Sequence, residues 1–358
     1  MPTDGSPQSA AAATPVIIIP GDGIGPEVTS VARAVIDASG ANIEWLPQVL
    51  GAPAHERFGD SVPDHVVAAI RDTGVALKGP VETPIGATFR SANVGLRREL
   101  DLYAQLRRSR SRTGVPSASP GIDVIVIREP TEGLYRGIEF DVGSEAARQL
   151  RTWLGRRGEA VDSDSGISLS PLSRRAAERV FDFAFRYATR NGRARVTAAH
   201  KATVMRSTDG LFLETAGTVA ANHPAVAFDE MLIDRLALEL VRNPQRFDVL
   251  VMQNLYGDIF SDLAAGLTGG LGYAAGGNYG DRVAVFEPAH GVVNHRAGAD
   301  TANPLAAVLS GALLLRHIGE ADAAAAVELA VDAVAAAGPV TSTKAAANAL
   351  IAHLAESR

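Results

Sequence analysis

Val16-Ile17-Ile18-Ile19-Pro20-Gly21-Asp22-Gly23-Ile24-Gly25-Pro26 is a short apolar run closed by a glycine cluster. It reads as a buried strand, a tight turn and the start of a helix. Pro26 falls in the first helical turn, where a missing N–H costs nothing. The same pattern recurs downstream. Val75–Lys78 is a second short strand, again ending in Gly-Pro, and Val196–Ala199 leads into a loop. Ile122–Ile127 and Val249–Met252 are near-continuous apolar runs of the kind that suits strands covered on both faces. Helical periodicity runs through Ala92–Leu102, with Ser91 as its N-cap. It also runs through Arg174–Thr189, Met231–Val241, Ile259–Leu267, Pro304–His317 and Ala321–Ala337. Alternating strands and helices predict an α/β protein with a mostly parallel sheet. Pro116–Gly121 and Gly155–Ser165 are polar and read as exposed loops; no internal repeat is present.

The 358 residues suffice for one large or two ordinary domains. A hydrophobic share of 46% and a charged share of 21% are globular values. The net charge of -6 gives no reason to expect nucleic acid or an anionic membrane as partner, so anion binding must come from local arginine clusters. The absence of cysteine excludes disulfides, thiolate zinc sites, iron–sulfur clusters and thiol nucleophiles. No apolar run reaches the roughly 18–20 residues needed to span a bilayer. The opening MPTDGSPQSAAAATP has neither a basic start nor a hydrophobic stretch, so a disordered tail and a cytoplasmic location are expected.

The Gly21–Pro26 cluster is G-x-G-x-G-P, not G-x-G-x-x-G, and no acidic residue stands clearly about 20 residues on to bind a ribose. A turn that needs glycine dihedrals and a direct ligand contact are both open readings. Arg90-Ser91-Ala92-Asn93-Val94-Gly95-Leu96-Arg97 says more. Ser91 and Asn93 offer hydrogen bonds at a helix N-terminus, where dipole and free amides favour an anion. Arg97, Arg107 and Arg128 fall at element ends and can clamp carboxylates in pairs. The plainer alternative is a helix cap with solvated arginines. Tyr135 follows Arg128 closely and can serve as a general acid if cationic neighbours tune it. Lys201, after an apolar strand, is a candidate base or proton relay.

Asn254-Leu255-Tyr256-Gly257-Asp258-Ile259-Phe260-Ser261-Asp262 is the most specific segment. Asp258 and Asp262 are four apart, on one helical face, an unfavourable pair unless a cation joins them. Hard oxygen ligands without His or Cys point to Mg²⁺ or Mn²⁺, with Asp234 as a possible third ligand. Gly269-Gly270-Leu271-Gly272 and Glu287-Pro288-Ala289-His290-Gly291 bracket a stretch ending near Asn303, where glycines would let backbone approach a flat ligand such as adenosine.

Together these motifs resemble the isocitrate/isopropylmalate dehydrogenase family, the β-decarboxylating dehydrogenases, from about Val16 to Leu354. The resemblance implies a two-domain α/β fold distinct from the Rossmann fold. One domain would be 1–98 plus 253–358, binding the cofactor, and the other 99–252, holding substrate residues and the contacts of a homodimer with shared active sites. It implies that Arg97, Arg107 and Arg128 hold substrate carboxylates and that Tyr135 protonates the enol. Lys201, given by the partner subunit, would help deprotonate the hydroxyl. Asp258 and Asp262 would hold the metal together with Asp234 of the other subunit, and His290, Gly291 and Asn303 would belong to the adenosine loop.

Ser91 and Asn93 resemble the residues that bind the third carboxylate in isocitrate dehydrogenases, and Lys78 and Thr83-Pro84 agree with that type. Isocitrate or a close tri-anionic analogue is therefore the expected substrate, with homoisocitrate, isopropylmalate, tartrate or a phosphonate analogue as alternatives. A non-catalytic regulatory subunit is a further alternative, opposed by the retention of Tyr135, Lys201 and all three aspartates. The sequence departs from the family pattern at Arg108, Pro130 and Thr203, which leaves room for a specialised substrate. In the cofactor loop, His295 stands where the family has an aspartate for NAD or a lysine for NADP. The neighbouring Arg296 could pair with a 2′-phosphate. NAD or NADP is expected, with a lean to NADP, although the C-terminal segment that often helps NADP binding looks shortened around Gly338–Lys344.

Overall fold

A computed structural model describes residues 12–82 and 91–356. Thr83-Pro84, Arg90 and most of the expected N-terminal tail lie outside the described residues. The chain begins with β1 (Thr14–Ile19), α1 (Gly25–Ser39), β2 (Ile43–Pro47), α2 (Ala52–Phe58), α3 (Asp64–Thr73), β3 (Val75–Lys78) and α4 (Ala92–Glu99). It continues through β4 (Ala104–Arg110), β5 (Asp123–Arg128), β6 (Ile138–Phe140), α5 (Glu145–Gly155), β7 (Ile167–Leu169), α6 (Arg174–Arg190), β8 (Arg195–His200) and α7 (Asp209–Ala220). Then come β9 (Ala227–Leu232), α8 (Ile233–Arg242), β10 (Val249–Met252), α9 (Asn254–Leu267), β11 (Ala275–Tyr279) and β12 (Ala284–Pro288), and α10 (Leu305–His317), α11 (Ala321–Ala336) and α12 (Thr343–Glu356) close the chain.

Two compact units result. The first takes the described residues of Met1–Leu96 with Thr113–Val115 and Arg282–Arg358; the second takes Arg97–Arg112 and Pro116–Asp281. In the first, strands run in the order β2-β1-β3-β12, all parallel. The predicted runs Val16–Ile19 and Val75–Lys78 are buried, as parallel strands covered on both faces must be. Lys78 is buried among them because Glu287 pairs with it at 2.5 Å. Helix α10 is apolar nearly all round and lies between α1, α11 and β12.

In the second unit the order is β11-β4-β5-β10-β8-β9, with β11, β4 and β5 antiparallel and β5, β10, β8 and β9 parallel. Val124, Val126, Leu250 and Met252 pack with Leu236 and Leu240 of α8 and Phe260 and Ala264 of α9. Helix α6 packs on β4, β5, β8 and β10. The pair β6–β7 forms a separate small antiparallel ribbon. The resemblance assigns 253–281 to the first domain, whereas contacts group that segment with the second unit, because α9 packs against β4 and β5.

Three helix boundaries differ from expectation by two residues or more, each for a physical reason. The helix expected from Met231 starts at Ile233, since Met231 and Leu232 pair with β8 as the end of β9. The helix expected from Ile259 begins five residues earlier at Asn254, its polar first turn and Gly257 having masked the helical period. The helix expected to reach Leu102 ends at Glu99, where Asp101 adopts φ 49 and turns the chain into β4.

Asp123, at the start of β5, takes both Arg108 nitrogens (3.0 and 2.9 Å) and Arg193 (3.0 Å), and Arg193 also reaches Asp248 at 2.9 Å. Burial acts to raise the Asp123 pKa, but the guanidiniums of Arg108 and Arg193 hold it below the ordinary carboxylate value. A depressed folded pKa stabilises the fold above the unfolded pKa, and that stabilisation fades as pH falls through the folded value. Asp123→Asn is expected to cost about 2 kcal/mol at neutral pH, less than full burial would give because the cluster is partly exposed. The difference from the parent should shrink below about pH 4, as measured by denaturant unfolding at a series of pH values.

Candidate active site

Strand alternation sets the first part of the site. On β4, Gln105 and Arg107 point to one face, and Leu106 and Arg108 to the other. Arg107 donates to Ser261 Oγ at 2.8 Å and to Asp262 Oδ1 at 2.6 Å, both on α9. Arg108 turns away to Asp123 and does not join the arginine group. The departure at Arg108 therefore adds no charge beside the arginine group. Arg128 ends β5, opposite Gln105 in the antiparallel register. Its Nε donates to Asn254 Oδ1 at 2.8 Å, and its Nη1 meets Gln105 Oε1 at 3.3 Å and the Asp258 carboxylate. Arg97 sits within electrostatic reach of Arg128, and its Nε donates to Asn278 Oδ1 at 3.0 Å.

Helix α9 can come this close only because residue 257 is glycine. A Cβ there would stand 2.5 Å from the Arg128 Cβ. Burial, together with the nearby Arg97 and Arg107, brings the Arg128 pKa down to about 10 against the opposing pull of Asp258. Arg128 therefore remains a cation at neutral pH.

Tyr135 lies in a single 3-10 turn, Gly133–Arg136. Its hydroxyl donates to Asp258 Oδ2 at 2.6 Å, and the Arg128 guanidinium lies 4.8 Å from its ring centroid. Cationic neighbours were expected to tune this phenol, but the net direction is upward. Partial burial and the Asp258 carboxylate raise its pKa more than Arg128 lowers it. Tyr135 is thus a neutral phenol that keeps its proton. Burial raises the pKa of Asp258 too, but Arg128, Tyr135 and Arg107 outweigh it and hold Asp258 below the usual carboxylate value.

The loop that presents Tyr135 is pinned. Glu129 is fully buried, and its carboxylate accepts the N–H groups of Thr131 (2.8 Å) and Glu132 (3.1 Å). Burial nonetheless raises the Glu129 pKa. This knot needs no N–H from residue 130, which is why Pro130 fits. Glu132 in turn caps α6 through the Ser173 N–H at 2.5 Å, and Asn254 donates to the Glu132 carbonyl at 2.8 Å.

Lys201 follows β8, and its Nζ reaches Asp234 Oδ1 of α8 at 2.5 Å. Neighbouring Thr203 is exposed. Asp258 and Asp262 are partly exposed oxygen donors on successive turns of α9, a donor set that suits a hard divalent cation. Asp234 does not join them. Among the described residues no group of three His, Cys, Asp or Glu could hold a metal ion, so one chain offers two of the three expected carboxylates.

The remaining expected residues lie in the first unit. Ser91 immediately precedes α4, and Asn93 Nδ2 donates to the Val81 carbonyl at 3.3 Å, leaving its buried Oδ1 without a partner among the described residues. The loop after β12 folds back on the first glycine turn, with Ile24 N–H donating to Val292 O at 2.8 Å. Gly23 has φ 58, and a Cβ there would lie 2.1 Å from Val292 O. The structural reading of the first glycine turn thus holds. Val293 is held at φ 44, costly for a β-branched residue, roughly 1–3 kcal/mol. His295 and Arg296 stand exposed in the following turn.

Asn303 Oδ1 accepts the Leu305 N–H at 3.0 Å at the start of α10. His290 is buried, its pKa lowered by desolvation, and its Nε2 has no hydrogen-bond partner among the described residues. A buried imidazole nitrogen left open and a strained loop backbone fit a polar organic ligand such as a nucleotide.

Asn254, Gln105 and Asn278 were not singled out as site residues from sequence. Their amides support Arg128 and Arg97, and nothing in local composition marks such neighbours before the register of β4 on β5 and β11 is known.

The sequence from residue 15 to 352 matches the family model described as isocitrate/isopropylmalate dehydrogenase. A probable mitochondrial NAD isocitrate dehydrogenase alpha subunit from Caenorhabditis elegans is 42% identical over 89% of this chain and 84% of its own length. An isocitrate/homoisocitrate dehydrogenase from Thermus thermophilus is 43% identical over 91% and 92% respectively. The crystal structure of isocitrate dehydrogenase from Methylococcus capsulatus superposes with a TM-score of 0.86 at 40% identity, covering 95% of this chain and 99% of that one.

Opposite orientations of Arg107 and Arg108 lead to opposite expectations. Arg107→Gln and Arg128→Gln should each weaken binding of a tricarboxylate by roughly 10–100-fold, the worth of one charge-assisted hydrogen bond. Arg108→Gln should leave it within about twofold while lowering the unfolding midpoint. Calorimetric titration of each variant checks this.

Proposed function

Because the chain belongs to the isocitrate/isopropylmalate dehydrogenase family, we propose that it oxidatively decarboxylates isocitrate, or a close 2-hydroxy polycarboxylate, with NAD as hydride acceptor. The observation that carries this reading is the Asp258 carboxylate, bonded on one side to Arg128 and on the other to the Tyr135 hydroxyl. Cation, acid and candidate metal ligand thus meet at one point.

Arg97, Arg107 and Arg128 bind and orient the substrate carboxylates, Arg107 and Arg128 exchanging their present carboxylate partners for those of the substrate. Ser91 and Asn93 hold the third carboxylate, through the Ser91 hydroxyl and the Asn93 amide N–H. Lys201 of the partner subunit takes the hydroxyl proton, and Tyr135, protonated at neutral pH, returns a proton to the carbon left by CO₂. Asp258 and Asp262, with Asp234 of the partner subunit, would hold Mg²⁺ or Mn²⁺, which supplies Lewis-acid polarisation of the hydroxyl and then of the ketone. His290, Gly291, His295, Arg296 and Asn303 would hold the dinucleotide, which supplies the hydride acceptor. The names of the NAD-type relatives favour NAD over the NADP lean drawn from Arg296. Homoisocitrate is the second substrate reading, favoured by the Thermus relative's name.

A second copy of the chain would bring Lys201 and Asp234 to the site. Helices α8 and α9 expose Leu238, Val241, Leu255 and Ile259, with Val241 and Ile259 each more than half exposed. Such a row suits a homodimer face.

With Mn²⁺, isocitrate and either cofactor, absorbance of the reduced nicotinamide should rise on the order of 1–10³ turnovers per second with NAD, and more slowly with NADP. No rise with isocitrate but a rise with homoisocitrate would move the assignment to the second substrate. Val241→Glu combined with Ile259→Glu should shift the particle to monomer mass by light scattering and abolish turnover. A monomer of full activity would refute the shared site.

A further inference from the structure

Asp209, the first residue of α7, is buried, yet no step of the proposed reaction uses it. Its Oδ2 accepts the backbone N–H of Lys201 at 2.6 Å. Its Oδ1 accepts from Gln253 Nε2 at 2.7 Å and from Thr208 Oγ1 at 3.1 Å. The Tyr256 hydroxyl is a further donor to the same carboxylate. Gln253 immediately precedes α9, and Tyr256 lies in its first turn, two residues before Asp258. One buried carboxylate therefore grips the loop that carries Lys201 with one oxygen and the start of the helix that carries Asp258 with the other.

The rest of the Lys201 loop has little else to hold it. Thr203, Val204, Met205 and Arg206 are all exposed. Its bonds are local: Val204 and Met205 N–H donate to Lys201 O, Ala202 N–H to His200 Nδ1 at the end of β8 at 3.1 Å, and Asp209 and Gly210 N–H to Met205 O. A buried carboxylate is costly to desolvate and is retained only where its acceptors are filled. Here the four donors come from two distant stretches of chain.

We propose that Asp209 is a positioning residue for catalysis, which sets the Lys201 loop against the first turn of α9. The proposal rests on the roles read for Lys201 and Asp258 above. It adds that the lysine a subunit lends to its partner and the carboxylates it keeps for its own site are fixed to one internal anchor.

The test uses the full-length enzyme with the substrate that gives turnover, comparing Asp209→Asn, Tyr256→Phe, Lys201→Met and the double variant Asp209→Asn/Lys201→Met. An amide in place of the carboxylate substitutes a donor edge for one acceptor edge, and Tyr256→Phe loosens the α9 side alone, where Gln253 still holds. Asp209→Asn should lower kcat by roughly tenfold or more, because displacement of a proton-transfer group by about 1 Å is that costly. KM should stay within about threefold. The solvent deuterium isotope effect on kcat should rise as proton transfer becomes limiting. In the Lys201→Met background the same change should cost less than about twofold, since Asp209 acts through Lys201. Tyr256→Phe should move the same readouts in the same direction and by less, and it decides the matter if Asp209→Asn does not fold.

Wild-type kcat in Asp209→Asn would overturn the proposal. So would a loss with unchanged isotope effect that is fully additive with Lys201→Met, the mark of general destabilisation. Wild-type kcat in Lys201→Met would instead refute the role of the lysine on which the proposal stands.

Discussion

A guanidinium almost wholly removed from water at the end of a central strand needs a counter-charge, and Arg128 finds it in Asp258. Much of the second unit follows from that pairing. The antiparallel register of β4 brings Gln105 opposite Arg128, and the parallel partner β10 leads directly into α9, which delivers Asn254 and Asp258. Burial keeps the proton on Tyr135, and the carboxylate that neutralises Arg128 adds to this by accepting the phenol's hydrogen bond.

The candidate site is therefore balanced within one chain, with each acid satisfied by a base. Arg107 answers Asp262, and Lys201 answers Asp234. On the proposed function, a polycarboxylate arriving with a divalent cation would offer both halves of that exchange at once: anions for the arginines and a cation for the aspartates. Either alone would leave uncompensated charge behind.

Short apolar runs closed by glycine or proline announced the parallel strands plainly, because burial on both faces leaves no other composition for them. Part of the site's charge was legible too, since Arg128 and the aspartates of α9 follow such runs, whereas Arg107, expected at an element end, lies mid-strand in β4. What stayed hidden depends on register. Arg107 and Arg108 are adjacent in sequence and opposite in space, and only pairing with β5 and packing of α9 tells which of them faces Asp262. The start of α9 was missed because Gly257 is a poor helix former. The supporting amides and Asp209 were missed because polar residues that satisfy buried partners look, in sequence, like any others.

That glycine has a consequence for how the protein can change. Alanine at an ordinary mid-helix position would gain about 1 kcal/mol in helix propensity over glycine. At residue 257 the added methyl would collide with the Arg128 stem, leaving both the helix start and the arginine nowhere to go. A drift toward a more stable α9, open to most helices, is closed here. Position 257 trades local stability for proximity, and variants selected for heat tolerance will have to find their gains elsewhere in the chain.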